Sequence, residues 1–176
     1  MAAWLLRIHH HDERALHALV LRRRPTLDRA MHAVTRLGDA AVTVALTLAL
    51  LLGAVPGAQA AGRRAAFALV ASHLAVQLLK RTIARARPSL PVECASLARA
   101  PDRFSFPSGH AASSLSVALG AAATLPPPLA AAAVLLAGVV GLSRCYLGVH
   151  YPGDVAVGWL LAAAAALAAP LVPGMG

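Results

Sequence analysis

The chain has 176 residues, of which 59% are hydrophobic, 13% charged and 4% aromatic, with a net charge of +9 and a mean hydropathy of +0.67. So little charge in one domain's length excludes an ordinary soluble domain, and apolar matter dominated by Ala, Leu and Val suits helices packed closely through small residues. The positive balance is not a nucleic-acid signal, because an anionic membrane leaflet already accounts for it.

In chain order, Met1 to Arg14 mixes Trp4, Leu5 and Leu6 with Arg7, His9, His10, His11 and Asp12, which is not the form of a secretory signal peptide. The histidine run beside Asp12 and Glu13 has metal-ligand residue types, but an exposed polar terminus explains it better. Residues 12–37 have a helical, amphipathic pattern broken at Pro25, with Leu16, Leu19, Val20, Met31 and Val34 set among arginines. Such a segment is expected to lie on a membrane surface, the alternative being a charged helix packed on a bundle. Five uncharged stretches then approach the ~20 residues of a bilayer span. They are Ala40–Ala61, Ala65–Leu79 (extended toward Ile83 if Lys80 and Arg81 snorkel), two within Phe104–Ser143 split by Pro126-Pro127-Pro128, and Val155–Val172. The expectation is an all-α integral membrane bundle in one domain, an amphipathic segment over 1–37 and a transmembrane catalytic bundle over 38–176.

Five spans place the N-terminal segment, the Lys80–Arg103 loop and the Ser143–Asp154 loop on one side. That side collects all of the 16 Lys and Arg except Arg63 and Arg64, so the positive-inside rule puts it in the cytoplasm of a bacterial inner membrane. Leaving out the proposed phosphate binders does not remove the asymmetry.

Three strings on that side carry chemistry: Lys80-x6-Arg87-Pro88, Pro107-Ser108-Gly109-His110 and Ser143-Arg144-x5-His150-x3-Asp154. A phosphoryl group in flight spreads negative charge over its peripheral oxygens, and preorganised Lys80, Arg87 and Arg144 match that charge. Arginine's planar fork grips two oxygens at once, whereas lysine offers a point charge. A Pro-Ser-Gly turn entering a helix points backbone N–H groups of the Ser108–Gly109 region at an anion. His150, with Asp154 one turn on to fix its tautomer, is the nucleophile candidate, and His110 is the general acid.

In these three strings, taken in order, the chain resembles the type 2 phosphatidic acid phosphatases, a superfamily that includes bacterial acid phosphatases and vanadium haloperoxidases. The resemblance spans roughly residues 80–154. It implies Lys80, Arg87, Ser108, Gly109 and Arg144 as phosphate binders, His110 as acid, His150 as nucleophile and Asp154 as its orienter, with no metal and no other cofactor. It implies a membrane lipid phosphatase acting on a phosphorylated lipid in the bilayer, with a polyprenyl diphosphate as the alternative substrate. A haloperoxidase-like oxidoreductase is a more distant alternative, and a binding protein with a degenerate site is a third. The membrane members typically have six spans and many work on the outer face, so five spans and a cytoplasmic site are a departure.

Each charge also has a plainer explanation. Lys80, Arg85, Arg87 and Arg144 are residue types that anchor span ends, and His73, on the same face of its helix as Lys80, is expected to pack rather than meet a headgroup. Cys94 and Cys145 define no disulfide framework and are expected reduced. Oligomeric state leaves no mark in the sequence.

Overall fold

The structure, a computed structural model, describes residues 3–100 and 102–171. Among the described residues the helices are α1 (Ala3–Val20), α2 (Pro25–Thr35), α3 (Ala40–Leu51), α4 (Gln59–Ile83), α5 (Gly109–Ala122), α6 (Pro127–Tyr146) and α7 (Pro152–Ala168), with 3₁₀ turns at Arg36–Gly38 and Ala169–Leu171. No strand occurs among them; an isolated bridge between Ala86 and Phe104 ties the long α4–α5 connection to itself.

Helix α5 is the hub, packed by α4, α6 and α7. Its sequence is poor in large side chains, and that lets backbones meet. A Cβ on Gly120 would lie 2.5 Å from Ala65 of α4, and a buried Ser72–Ser116 hydroxyl pair at 2.9 Å links the same helices. Small residues and shared hydroxyls are how helices associate where lipid removes the hydrophobic drive between them. The outer faces stay apolar: Leu46, Leu48, Leu78, Leu135, Leu142, Leu160 and Leu167 are all exposed. An apolar girdle on this scale marks a surface that meets lipid.

Several boundaries differ from expectation. The first span ends at Leu51 rather than Ala61, because Gly53 and Gly57 take positive φ on either side of Pro56 and start a turn that hydropathy alone does not register. Helix α4 runs from Gln59 to Ile83, roughly 37 Å, through both Arg63-Arg64 and Lys80-Arg81. The proline triplet opens α6 instead of merely dividing two spans, with Pro127 in its first turn. The fifth span begins at Pro152, and its expected end at Val172 lies outside the described residues, as does Met1.

The N-terminal segment starts earlier than residue 12 and forms two helices, Pro25 opening the second. Leu16 and Val20 of α1 are 0% and 2% exposed and sit in a cluster with Ala111, Cys145, Tyr151 and Val155. The apolar stripe of α1 therefore meets protein, which is the packed alternative for this segment. Among the described residues, by length and composition, α6 alone is long and apolar enough to cross a bilayer, while α2 with its 3₁₀ turn and α3, bent by 51°, qualify only as a pair. The count of five spans is thus not reproduced as five long helices.

Candidate active site

Four helix ends, those that close α4 and α6 and those that open α5 and α7, build the site with the loops between them. Lys80 occupies the last turn of α4, where helix geometry favours a cation. Ala84, the following cap, takes φ 49 in the left-handed region, an unusual place for a residue with a Cβ, and so turns Arg85 and Arg87 back over the helix end. Helix α6 ends similarly: Gly148 at φ 80 reverses the chain, and the amides of Val149 and His150 both return to the carbonyl of Arg144. A side chain at Gly148 would strike Arg23 and Leu90. His150 is thereby fixed beside the helix that carries Arg144.

Asp154 sits at the third position of α7, where its Oδ2 accepts the Tyr151 N–H at 2.9 Å. The same oxygen is 3.5 Å from His150 Nδ1. The His-x3-Asp spacing is therefore a helix cap whose carboxylate also faces the histidine. With a proton on Nδ1, the lone pair of Nε2 points away from Asp154; Arg87 Nη1 lies 2.9 Å from Nε2 and 3.5 Å from Nδ1, which puts it over the ring rather than on the lone-pair axis. Burial lowers the His150 pKa to about 4, although Asp154 pulls it upward. The imidazole is neutral at ordinary pH, as a nucleophile must be.

The cations do not stand idle. Lys80 Nζ donates to both oxygens of Asp102 at 3.0 and 2.8 Å and to the Phe104 carbonyl. Arg87 donates to Asp102 Oδ1 at 2.9 Å and to the Val149 carbonyl at 2.7 Å. Desolvation pushes the Asp102 carboxyl up, but Lys80 and Arg87 together hold it below its ordinary range. An internal carboxylate thus occupies the clamp that a phosphate would take. Arg144 is different: it is 2% exposed, its Nη1 donates to Thr35 Oγ1 at 2.8 Å, and its Nε and Nη2 have no partner. Buried, unsatisfied guanidinium N–H groups are costly unless an anion completes them.

His110 faces the same cleft as Lys80, Gly109 and His150. Its Nε2 lies 2.9 Å from Asp39 Oδ1, a carboxylate just ahead of α3. Ser108, expected among the phosphate binders, has its own polar groups engaged within the fold. It is fully buried, its Oγ caps α5, and its N–H is donated to the Asp154 carbonyl. What Ser108 offers an anion is the orientation of the Gly109 and His110 amides, the orphan donors of the first turn. Close contact with α7 fixes that turn, since a Cβ on Gly158 would lie 2.6 Å from the Ser108 carbonyl oxygen.

Asp39, Asp102 and Thr35 are partners that the sequence does not display, while Arg85 figures there only as a span-end anchor and Asp12 only as a neighbour of the histidine run. Arg85 bridges Asp154 Oδ1 at 2.8 Å and Asp12 Oδ2 at 2.9 Å, which ties α1 to the carboxylate that faces His150. The usable signal was scarcity: only 7 acids serve a chain of net charge +9, so each carboxylate is a candidate partner. Among the described residues no cluster of three or more His, Cys, Asp or Glu is arranged to hold a metal, the run at His9–His11 included. Cys145 is buried and Cys94 partly so, and they are not bonded to each other.

If Asp39 holds His110 as a proton donor, Asp39→Asn should slow release from an alkyl phosphate by about 10- to 100-fold, part of the 10²–10⁴ that general acid catalysis supplies. Release from p-nitrophenyl phosphate, whose leaving group needs no proton, should change little. Equal losses on both substrates would assign Asp39 to packing.

A helical membrane bundle that gathers three fixed cations and two histidines at one end defines a phosphate-handling membrane protein. The PAP2 superfamily profile matches residues 61–175, and the chain belongs to that superfamily. It is 42% identical over 121 residues to the decaprenylphosphoryl-5-phosphoribose phosphatase of Mycobacterium tuberculosis, an alignment covering 64% of this chain and 65% of that one. Among solved structures it resembles Aquifex aeolicus LpxE, with TM-score 0.76 and 26% identity over 88% of this chain and 91% of that one. It also resembles the transmembrane PAP2 type phosphatidylglycerolphosphate phosphatase of Bacillus subtilis, with TM-score 0.73 and 28% identity over 95% of this chain and 88% of that one. These transmembrane neighbours, with the apolar girdle, make it a membrane protein.

Proposed function

We propose that the protein removes a terminal phosphate from a membrane lipid through a phosphohistidine on His150. The observation that carries this reading is a neutral, buried imidazole with Asp154 at Nδ1 and Arg87 over its ring, across one cleft from a second histidine. An incoming phosphomonoester displaces Asp102 from Lys80 and Arg87 and takes up their donors, with Nε2 facing the phosphorus. Nε2 then bonds to phosphorus as the ester P–O bond breaks, and the departing alkoxide takes a proton from His110. Water attacks the phosphohistidine, His110 accepts its proton, the P–N bond breaks and inorganic phosphate leaves. Lys80, Arg87, Arg144 and the Gly109 and His110 amides meet the charge that develops. The scheme calls on no metal.

The substrate class is a lipid phosphomonoester. Support comes from relatives named for decaprenylphosphoryl-5-phosphoribose and phosphatidylglycerolphosphate, and from a cleft whose wall beyond the cations is mostly apolar. A polyprenyl diphosphate is the second choice. The test is phosphate release by the full chain in detergent with chelator, over these lipids and phosphatidic acid; absence of release from every one sinks the reading. The site faces the cytoplasm of a bacterial inner membrane in this reading, supported by the side on which the cations gather. A reporter fused at the C-terminus should be active only outside the cytoplasm, and a cytoplasmic C-terminus contradicts the five-span topology.

A further inference from the structure

The cleft of about 560 Å³ that contains Lys80, His110 and His150 extends beyond the catalytic groups between α3 and α4. Its far wall is Val44, Leu69, Val70, Leu74 and Val76, interrupted by two polar side chains, His73 and Gln77. These lie one helical turn apart, with His73 Nε2 and Gln77 Nε2 separated by 3.3 Å. Both lie on the cleft face of α4, seven and three residues before Lys80, so about 10.5 and 4.5 Å further from the helix end along the axis. His73 is exposed and Gln77 half-buried, so neither is packed away as a core residue.

The pair has a defined set of unused donors. For these two nitrogens to bond, the Gln77 amide donates to His73 Nε2, which leaves the His73 proton on Nδ1. His73 Nδ1–H and the second Gln77 N–H then remain to donate. Donors left open in an apolar wall of a membrane helix are expensive, and polar residues at such depth mark substrate paths. Two N–H donors one turn apart suit an anionic oxygen pair.

We propose that His73 and Gln77 form a second polar subsite, which takes the membrane-proximal phosphodiester of a lipid whose terminal phosphate reacts at His150. The inference rests on the phosphatase reading and narrows its substrate. The chemistry required is a terminal phosphomonoester separated from a phosphodiester by one small polyol. A pentose phosphorylated at both ends spans the gap between Lys80 and this pair, and so does a glycerol phosphorylated at both ends. A diphosphate, whose phosphorus atoms share one oxygen, reaches the level of Gln77 at most and not that of His73. Phosphatidic acid places only uncharged esters at this level.

The experiment uses the full chain in detergent, and compares wild type with His73→Leu/Gln77→Leu, which keeps the wall filled. Four lipids serve as probes: a short-chain polyprenyl-phosphoryl-pentose 5-phosphate, phosphatidylglycerophosphate, phosphatidic acid and a polyprenyl diphosphate. The double variant should raise KM about 10- to 100-fold on one or both of the first two, the size expected for hydrogen bonds to a charged group. Its kcat on them, and both constants on phosphatidic acid, should stay unchanged. Which of the first two suffers decides between pentose and glycerol as the spacer. Uniform loss on all four, or no loss, overturns the subsite while leaving the phosphatase intact. Wild-type release from phosphatidic acid or diphosphate alone does the same. No release by wild type from any of the four overturns the phosphatase reading, and the subsite with it.

Discussion

Replacing His150 with alanine should lower lipid phosphate release by about 10⁴-fold or more, the scale of loss when a covalent nucleophile is removed. Rate alone is ambiguous here, since His150 is 2% exposed and truncating a buried ring also leaves a cavity. The decisive readout is the intermediate. With a labelled terminal phosphate, wild type quenched in base should carry label that acid removes, as a P–N bond requires, and His150→Ala should carry none. His110→Ala should instead retain label, given a substrate with a good leaving group, because its water is no longer activated. Label that survives in His150→Ala would move the nucleophile elsewhere. The acid side of the pH profile supplies a further check. His150 is lowered to about 4 by burial, so its lone pair is lost only as pH falls through that region, and the limb it governs should lie near 4 rather than near the ordinary 6.5.

The parts of this candidate site that the sequence displayed are those carried by residue type and short spacing. Imidazoles and fixed cations are rare in an apolar chain, and their spacing within each string survives as local geometry: His150 to Asp154 is one capped helical turn. The parts it concealed are pairings made across the fold. Asp39 meets His110 and Asp12 meets Arg85 over 71 and 73 residues, distances at which only helix packing decides who is adjacent. The N-terminal segment shows the same limit from another direction. Amphipathic periodicity states that Leu16 and Val20 share an apolar stripe, but does not state whether lipid or Cys145 and Val155 will cover it. The first span was over-extended because hydropathy sums Ala, Leu and Val without weighing Gly53, Pro56 and Gly57, whose backbones end the helix. His73 lay on the expected face yet was read as packing, since only the α3–α4 separation reveals that it borders open space.

Arg144→Met should abolish most activity without weakening the fold, and the contrast between those results is what identifies an anion site. Two of the three guanidinium nitrogens are buried without partners, so the resting protein carries the desolvation cost of donors it does not use. An apolar side chain of similar length removes that cost, and exchanges of buried charge for hydrophobic volume are often neutral or stabilising by about 1–4 kcal/mol. The thermal midpoint in detergent should therefore hold or rise by a few degrees, at about 2–4 °C per kcal/mol for a chain of this size. Turnover should fall about 10²–10³-fold, the loss seen when a donor to transition-state charge is removed. Vanadate joins the results to one cause. Bound at a hundred times its Kd it stabilises wild type by about 2.7 kcal/mol, and the variant, lacking the donors it completes, should gain far less at the same concentration. A variant that loses stability while keeping its vanadate response would make Arg144 a strut between α6 and Thr35 of α2. One that keeps both stability and turnover would leave its orphaned N–H groups without a function.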